Sequence, residues 1–135
     1  MAECHFHGME VVVMRALVVG NGRAFEDKVI SCLQADPDIE IVGVASDGTE
    51  GVRLAKQFLP ELVITQFDMP DMTGPALTRI LKGDGIPPPA VVIVSMTDAP
   101  HYSALAHLAG ADGYLASTTF GQLDPLVKRL KEQRH

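Results

Sequence analysis

From Arg15 onward, short β-branched runs alternate with stretches of helical period. Arg15 to Gly20 (RALVVG), Glu40 to Val44 (EIVGV), Glu61 to Gln66 (ELVITQ), Ala90 to Ser95 (AVVIVS) and Gly113 to Ala116 (GYLA) read as five strands. Most are almost continuously apolar, as strands covered by helices on both faces must be. Between them Phe25, Val29, Cys32 and Leu33 fall at i, i+4, i+7 and i+8, which is one face of a helix. Val52, Ala55 and Leu59 do the same for a second helix, and Leu77, Ile80 and Leu81 for a third. His101 to Ala109 is rich in Ala and Leu, with Asp98 placed to cap it, Pro100 in its first turn and Gly110 to stop it. Leu123, Leu126, Val127 and Leu130 give the last helix a buried stripe, while Lys128, Arg129 and Lys131 suit its C-terminal dipole.

Five strands alternating with five helices predict a parallel sheet with right-handed crossovers, because parallel neighbours need a crossover connection. The expected architecture is an α/β sandwich spanning residues 15–135, preceded by a flexible N-terminal tail over residues 1–14. In such sheets ligands sit beyond the carboxyl ends of the strands. Candidate chemistry is therefore sought at Gly20-Asn21-Gly22, Gln66-Phe67-Asp68, Ser95-Met96-Thr97 and Ala116-Ser117-Thr118. The Pro87-Pro88-Pro89 run reads as a stiff connection into the fourth strand.

Composition narrows the classes. A chain of 135 residues with 47% hydrophobic and 21% charged residues has the makings of one globular domain. The net charge of −6 argues against direct nucleic-acid binding, which rests on phosphate contacts. No apolar run approaches the roughly 18 residues of a membrane span, and no secretory signal is visible. Cys4 and Cys32 do not make a disulfide framework, so a reducing cytoplasm is expected.

Several constellations read blandly. Gly20-Asn21-Gly22 lies where a phosphate-binding turn would, but Phe25 replaces the glycine that packs a helix over a pyrophosphate. Glu3, Cys4, His5 and His7 offer metal-ligand atoms from one segment without a second ligand pair. His101 and His107 are six residues apart and do not share a helix face as an i, i+4 pair would. The strand exits carry no histidine, so no Ser/His/Asp triad can be assembled.

The most informative segment is Asp68-Met69-Pro70-Asp71-Met72-Thr73-Gly74. It is accompanied by Pro37-Asp38-Ile39-Glu40-Ile41-Val42-Gly43, by Asp47-Gly48, by Ser95 ending a strand, and by Ala109-Gly110-Ala111-Asp112-Gly113-Tyr114-Leu115. Together these resemble the receiver domains of two-component response regulators, over nearly all of Arg15 to Leu130 and most closely those that precede a helix-turn-helix output. The resemblance implies a CheY-like, flavodoxin-like (βα)5 sandwich with strand order 2-1-3-4-5. It also implies phosphoryl transfer from a histidine kinase to an aspartate ending the third strand, with magnesium held nearby.

Departures from that pattern govern the functional expectation. The acceptor position is Gln66, whose carboxamide has no anionic oxygen to attack phosphorus. The acidic positions after the first strand are Gly20 and Asn21, so magnesium binding is expected to be lost and no cofactor is expected. The lysine position after the fifth strand is Ser117, followed by Thr118 in place of the usual proline. Retained are Asp68 in the loop, and Ser95 and Tyr114 at positions that couple the phosphoryl group to the face of the fourth helix, fifth strand and fifth helix. That face, with His101, Tyr102 and Leu105, is the expected contact surface for a histidine kinase, a separate output protein or a second copy. The expected function is that of a non-enzymatic pseudo-receiver acting by protein contact, without direct nucleic-acid or membrane binding. The alternatives are a receiver phosphorylated at Asp68 and a small nucleotide- or cofactor-binding α/β protein.

Overall fold

A computed structural model of the chain describes residues 13–83, 88–97, 99 and 101–134. The first strand is β1 (Met14–Val19), followed by α1 (Arg23–Gln34), β2 (Ile39–Ala45), α2 (Gly48–Phe58), β3 (Leu62–Gln66) and α3 (Gly74–Gly83). The chain continues through β4 (Ala90–Ser95), α4 (Tyr102–Leu108), β5 (Gly113–Ala116), a 3₁₀ segment (Ser117–Gln122) and α5 (Leu123–Arg134). All strand pairs are parallel and the sheet order is β2-β1-β3-β4-β5, as the resemblance implied. Val19 pairs with Ala45 and Thr65, Gln66 with Val94, and Ser95 with Ala116, so the strand exits lie level with one another.

Alternation along each strand divides the core in two. Ala16, Val18, Leu62, Ile64, Val92, Val94 and Leu115 pack with Phe25, Val29 and Leu33 of α1 and Leu123, Leu126, Val127 and Leu130 of α5. Leu17, Val19, Val63, Val91 and Ile93 pack on the other face with Ala55 of α2, Leu77 and Leu81 of α3 and Ala106 of α4. Central strands β1, β3 and β4 are buried almost throughout, while edge strands β2 and β5 are only partly covered.

Element boundaries depart from the sequence reading by a residue or so. Met14, placed in the tail by its position, opens β1 and is fully buried. Leu59 and Ile80, expected on buried helical stripes, are exposed. Leu59 has passed beyond α2 into a left-handed C-cap with φ 48°, held where Arg15 donates to the Phe58 and Leu59 carbonyls. In α3 the buried face runs through Leu77, Thr78 and Leu81 instead, and the Thr78 hydroxyl is satisfied by the Gly74 carbonyl at 2.8 Å. Gly110 does terminate α4, with φ 95° and its amide on the His107 carbonyl. The N-terminal Cys/His segment, Pro87, and Asp98 and Pro100 lie outside the described residues.

Candidate functional site

Gln66 continues the side-chain parity of Leu62 and Ile64, so it stands on the α1 side of the sheet at the exit of β3. Its Oε1 accepts the Asn21 amide at 2.7 Å, joining the exits of β1 and β3 through a neutral hydrogen bond. Gly20 is buried beside it, and a Cβ there would meet the Phe25 ring at 2.3 Å and Gln66 Oε1 at 3.2 Å. Phe25 is itself only 3% exposed and packs into the α1 core, so the ring cannot swing away without opening a cavity. The space into which a side chain at position 20 would project is thus filled by an aromatic ring.

The segment after β3 closes on itself. Phe67 donates its amide to the Val94 carbonyl at 2.8 Å, the Gly74 amide returns to the Phe67 carbonyl at 2.7 Å, and Asp68 bridges to Thr73. This turn delivers Asp71 to the start of α2. Its carboxylate accepts from the Gly48 amide at 3.0 Å, the Thr49 amide at 2.8 Å and the Thr49 hydroxyl at 2.5 Å. Asp47 completes the same helix end by accepting from the Glu50 amide at 2.8 Å. The Thr49 hydroxyl and then the Gly48 amide hold the Asp71 carboxyl down at about 2. This role of Asp71 was not read from the sequence, because its partners lie 22 and 23 residues away.

At the exit of β4 the buried Ser95 hydroxyl donates to the Thr97 carbonyl and accepts the Thr97 amide at 3.2 Å, so among the described residues its bonds stay within its own loop. Tyr114 is half-buried against the α2–α4 side of the core. Ser117 opens the 3₁₀ segment, and its side chain lies outside the described set. His101 and Leu105 are exposed, but Tyr102 turns inward. Its ring lies parallel to that of Phe67, with centroids 3.8 Å apart and 3° between planes. Its hydroxyl stands 3.4 Å from each Asp68 carboxylate oxygen, too long for a strong hydrogen bond. Burial, and next the charge of Asp68, push the Tyr102 phenol up. Phe67 was an inconspicuous apolar residue in the sequence; only its position after Gln66 hinted that it borders the strand exits.

Among the described residues no three His, Cys, Asp or Glu side chains gather as a metal site, and no helix is long and apolar enough to cross a membrane. The family model for the response regulator receiver domain matches residues 16–131. A protein-glutamate methylesterase/protein-glutamine glutaminase of Lawsonia intracellularis is 30% identical over 114 residues, covering 84% of this chain and 29% of the relative. The transcriptional regulatory protein LiaR of Bacillus subtilis is 32% identical over 107 residues, covering 79% of this chain and 50% of LiaR. Among solved structures, the signal receiver domain of NarL from Mycobacterium tuberculosis superposes with a TM-score of 0.81 at 24% identity, covering 90% of this chain and 98% of that one. The chain thus spans half or less of the length of those two curated relatives.

Proposed function

This chain belongs to the response regulator receiver domain family of two-component signalling, and from that premise we propose that it is a receiver that has lost phosphoryl acceptance and signals by protein contact. The observation that carries this reading is the Phe25 ring 2.3 Å from where a Gly20 side chain would begin, beside a Gln66 carboxamide bonded to the Asn21 amide. Magnesium takes carboxylate and water oxygens in near-octahedral geometry and gives up its water reluctantly. A ring, a glycine and two carboxamides do not fit it. A carboxamide at position 66 also cannot form an acyl phosphate, because it has no anionic oxygen to attack phosphorus.

What remains is the surface. α4 turns Leu105 and Leu108 outward, 39% and 75% exposed, and shallow clefts of about 240 and 220 Å³ flank Tyr114 on the α4 and α5 sides of β5. Edge strand β5 and these apolar side chains support the α4–β5–α5 face as the place where a histidine kinase, a separate output protein or a second copy docks. On this reading the chain has no enzymatic activity of its own and works in the cytoplasm, without direct contact to nucleic acid or membrane. The activities named for its longer relatives are not carried over.

Intact-mass measurement after incubation with acetyl phosphate and magnesium tests the loss of acceptance. The mass is expected to stay unchanged. A phosphate-sized gain would overturn the reading, and its disappearance in Asp68→Asn would assign the gain to Asp68. Capture of a cognate partner by the wild-type chain but not by Leu105→Glu tests the surface; equal capture by both would remove it.

A further inference from the structure

α4 is seven residues long, far below the length at which a helix is stable unaided, so its position depends on what anchors it. Ala106 is its one fully buried residue. An alanine supplies little apolar area, and Leu105 and Leu108 point away into solvent. The remaining large side chain on its inner side is Tyr102, at its first position. That ring lies flat on Phe67, whose main chain is pinned from both sides by Val94 and Gly74. Phe67 is therefore the fixed element of the pair and Tyr102 the one free to leave.

We infer that Tyr102 is a latch: by stacking on Phe67 it bolts the start of α4 to the exit of β3 and so fixes how α4 presents Leu105 and Leu108 to a partner. The partner-facing half of this statement rests on the docking surface proposed above; the latch itself does not. The energy lies in the stack, which combines apolar burial with a close parallel ring contact. The Asp68 carboxylate, 3.4 Å from the phenol, steers the ring without holding it. The His101 ring stands nearly perpendicular to the same ring, with centroids 5.2 Å apart. Because α4 has one other buried anchor, release of the ring frees the helix while the sheet beneath stays intact.

Amide hydrogen exchange on the full chain reads this directly, without any partner. In Tyr102→Ala the hydrogen-bonded amides of Leu105 to Ala109 are expected to exchange about tenfold faster or more, with β3 and β4 unchanged. Tyr102→Phe keeps the stack and is expected to exchange within about twofold of wild type. Phe67→Leu, which removes the ring from the other side, is expected to match Tyr102→Ala in α4. Unchanged α4 exchange in both Tyr102→Ala and Phe67→Leu would overturn the latch. So would a Tyr102→Phe variant as fast as Tyr102→Ala, since the phenol and not the stack would then hold the helix. Partner capture by Tyr102→Phe and Tyr102→Ala separates the two statements. Equal capture alongside faster α4 exchange would keep the latch and reject the docking face.

Discussion

At the strand entries, Lys131 of α5 reaches Asp36 and Asp38 at 3.0 and 3.2 Å, and Lys82 of α3 reaches Asp112 at 2.7 Å. At the strand exits the contacts nearest the sheet are a carboxamide on an amide and two stacked rings. Two of these three carboxylates serve the scaffold as well as a lysine. Asp112 also accepts the Val91 amide at 2.8 Å, and Asp36 accepts the Asp38 amide at 2.9 Å. Burial works to raise the Asp36 carboxyl, but the Asp38 amide and the Lys131 ammonium bring it below its ordinary value. Burial likewise works to lower Lys131, and Asp36 and Asp38 lift it above its ordinary value. Charge is kept near the sheet where a fixed partner answers it. At the exits, where an active receiver would gather carboxylates for an ion, Asp71 is turned to the end of α2 and Asp68 faces a phenol.

The difference is broken most severely by putting charge back at the exits. Gly20→Asp places a Cβ against the Phe25 ring and a carboxylate at a buried position. It is expected to destabilise the fold by about 3 kcal/mol, from overpacking and burial of a charge, lowering Tm by roughly 10 °C. Adding Phe25→Ala makes room, so the double variant is expected to lose less than the sum of the two single losses in chemical denaturation. Strict additivity would mean that the ring does not close the site.

Next in size is removal of an answering charge at the entries. Lys131→Ala leaves Asp36 and Asp38 without their ammonium, and a loss of about 2 kcal/mol is expected from the partly buried Asp36. The pH dependence has a definite sign. Asp36 is lowered on folding, so its contribution is present above the ordinary carboxylate range and fades as pH falls. Lys131 is raised, so its contribution holds up to the ordinary lysine range and fades above it. Urea titrations are expected to show the variant's deficit at neutral pH shrinking toward both extremes. A deficit independent of pH would assign the loss to the lysine's aliphatic packing.

Asp71→Asn ranks third, since the carboxamide retains one acceptor oxygen for the end of α2. A Tm lower by about 4 °C is expected, the scale of a weakened helix cap. The Asp71 carboxyl sits at about 2 in the folded chain, below its unfolded value, so its contribution is full above about pH 4 and is lost as pH falls toward 2. Thermal melts between pH 5 and 2.5 are expected to converge for wild type and variant. Parallel curves would show that Asp71 acts by shape and not by charge.

The entry end was only half legible in the sequence, and the exit end was legible for what it lacks. Strand positions and the buried stripe of α5 follow from local periodicity, because they depend on neighbours a few residues apart, whereas the strand order came from the receiver resemblance. The basic end of α5 was read as a dipole effect, but Lys131 meets acids 93 and 95 residues distant, a pairing that no local pattern encodes. Gln66, Gly20 and Asn21 could be singled out because the resemblance fixes what usually stands there. The fillers could not. Phe25 was visible as a departure from a nucleotide fingerprint, yet its place against Gly20 depends on how α1 seats on the sheet. Tyr102 was read as an outward residue because helical period alone does not tell which side of a seven-residue helix meets β3.

The smallest effect is expected from Gln66→Asp, the change that rebuilds the acceptor side chain by itself. The shorter side chain gives up the 2.7 Å contact from its Oε1 to the Asn21 amide, a loss near 1 kcal/mol. A carboxylate is restored, but Gly20 and Asn21 still provide none, and Phe25 still fills the space beside Gly20. Thermal melts with magnesium and beryllofluoride are therefore expected to shift by no more than about 1 °C relative to buffer, because a ligand stabilises only in proportion to its binding of the folded state. A rise of several degrees in Gln66→Asp, absent in wild type, would show that one carboxamide alone blocks the site. The exits would then differ from a working receiver by a single residue, and the contrast between the two ends of the sheet would shrink to position 66. On the proposed reading, a flat response assigns the loss of acceptance to Gly20, Asn21, Phe25 and Gln66 acting together.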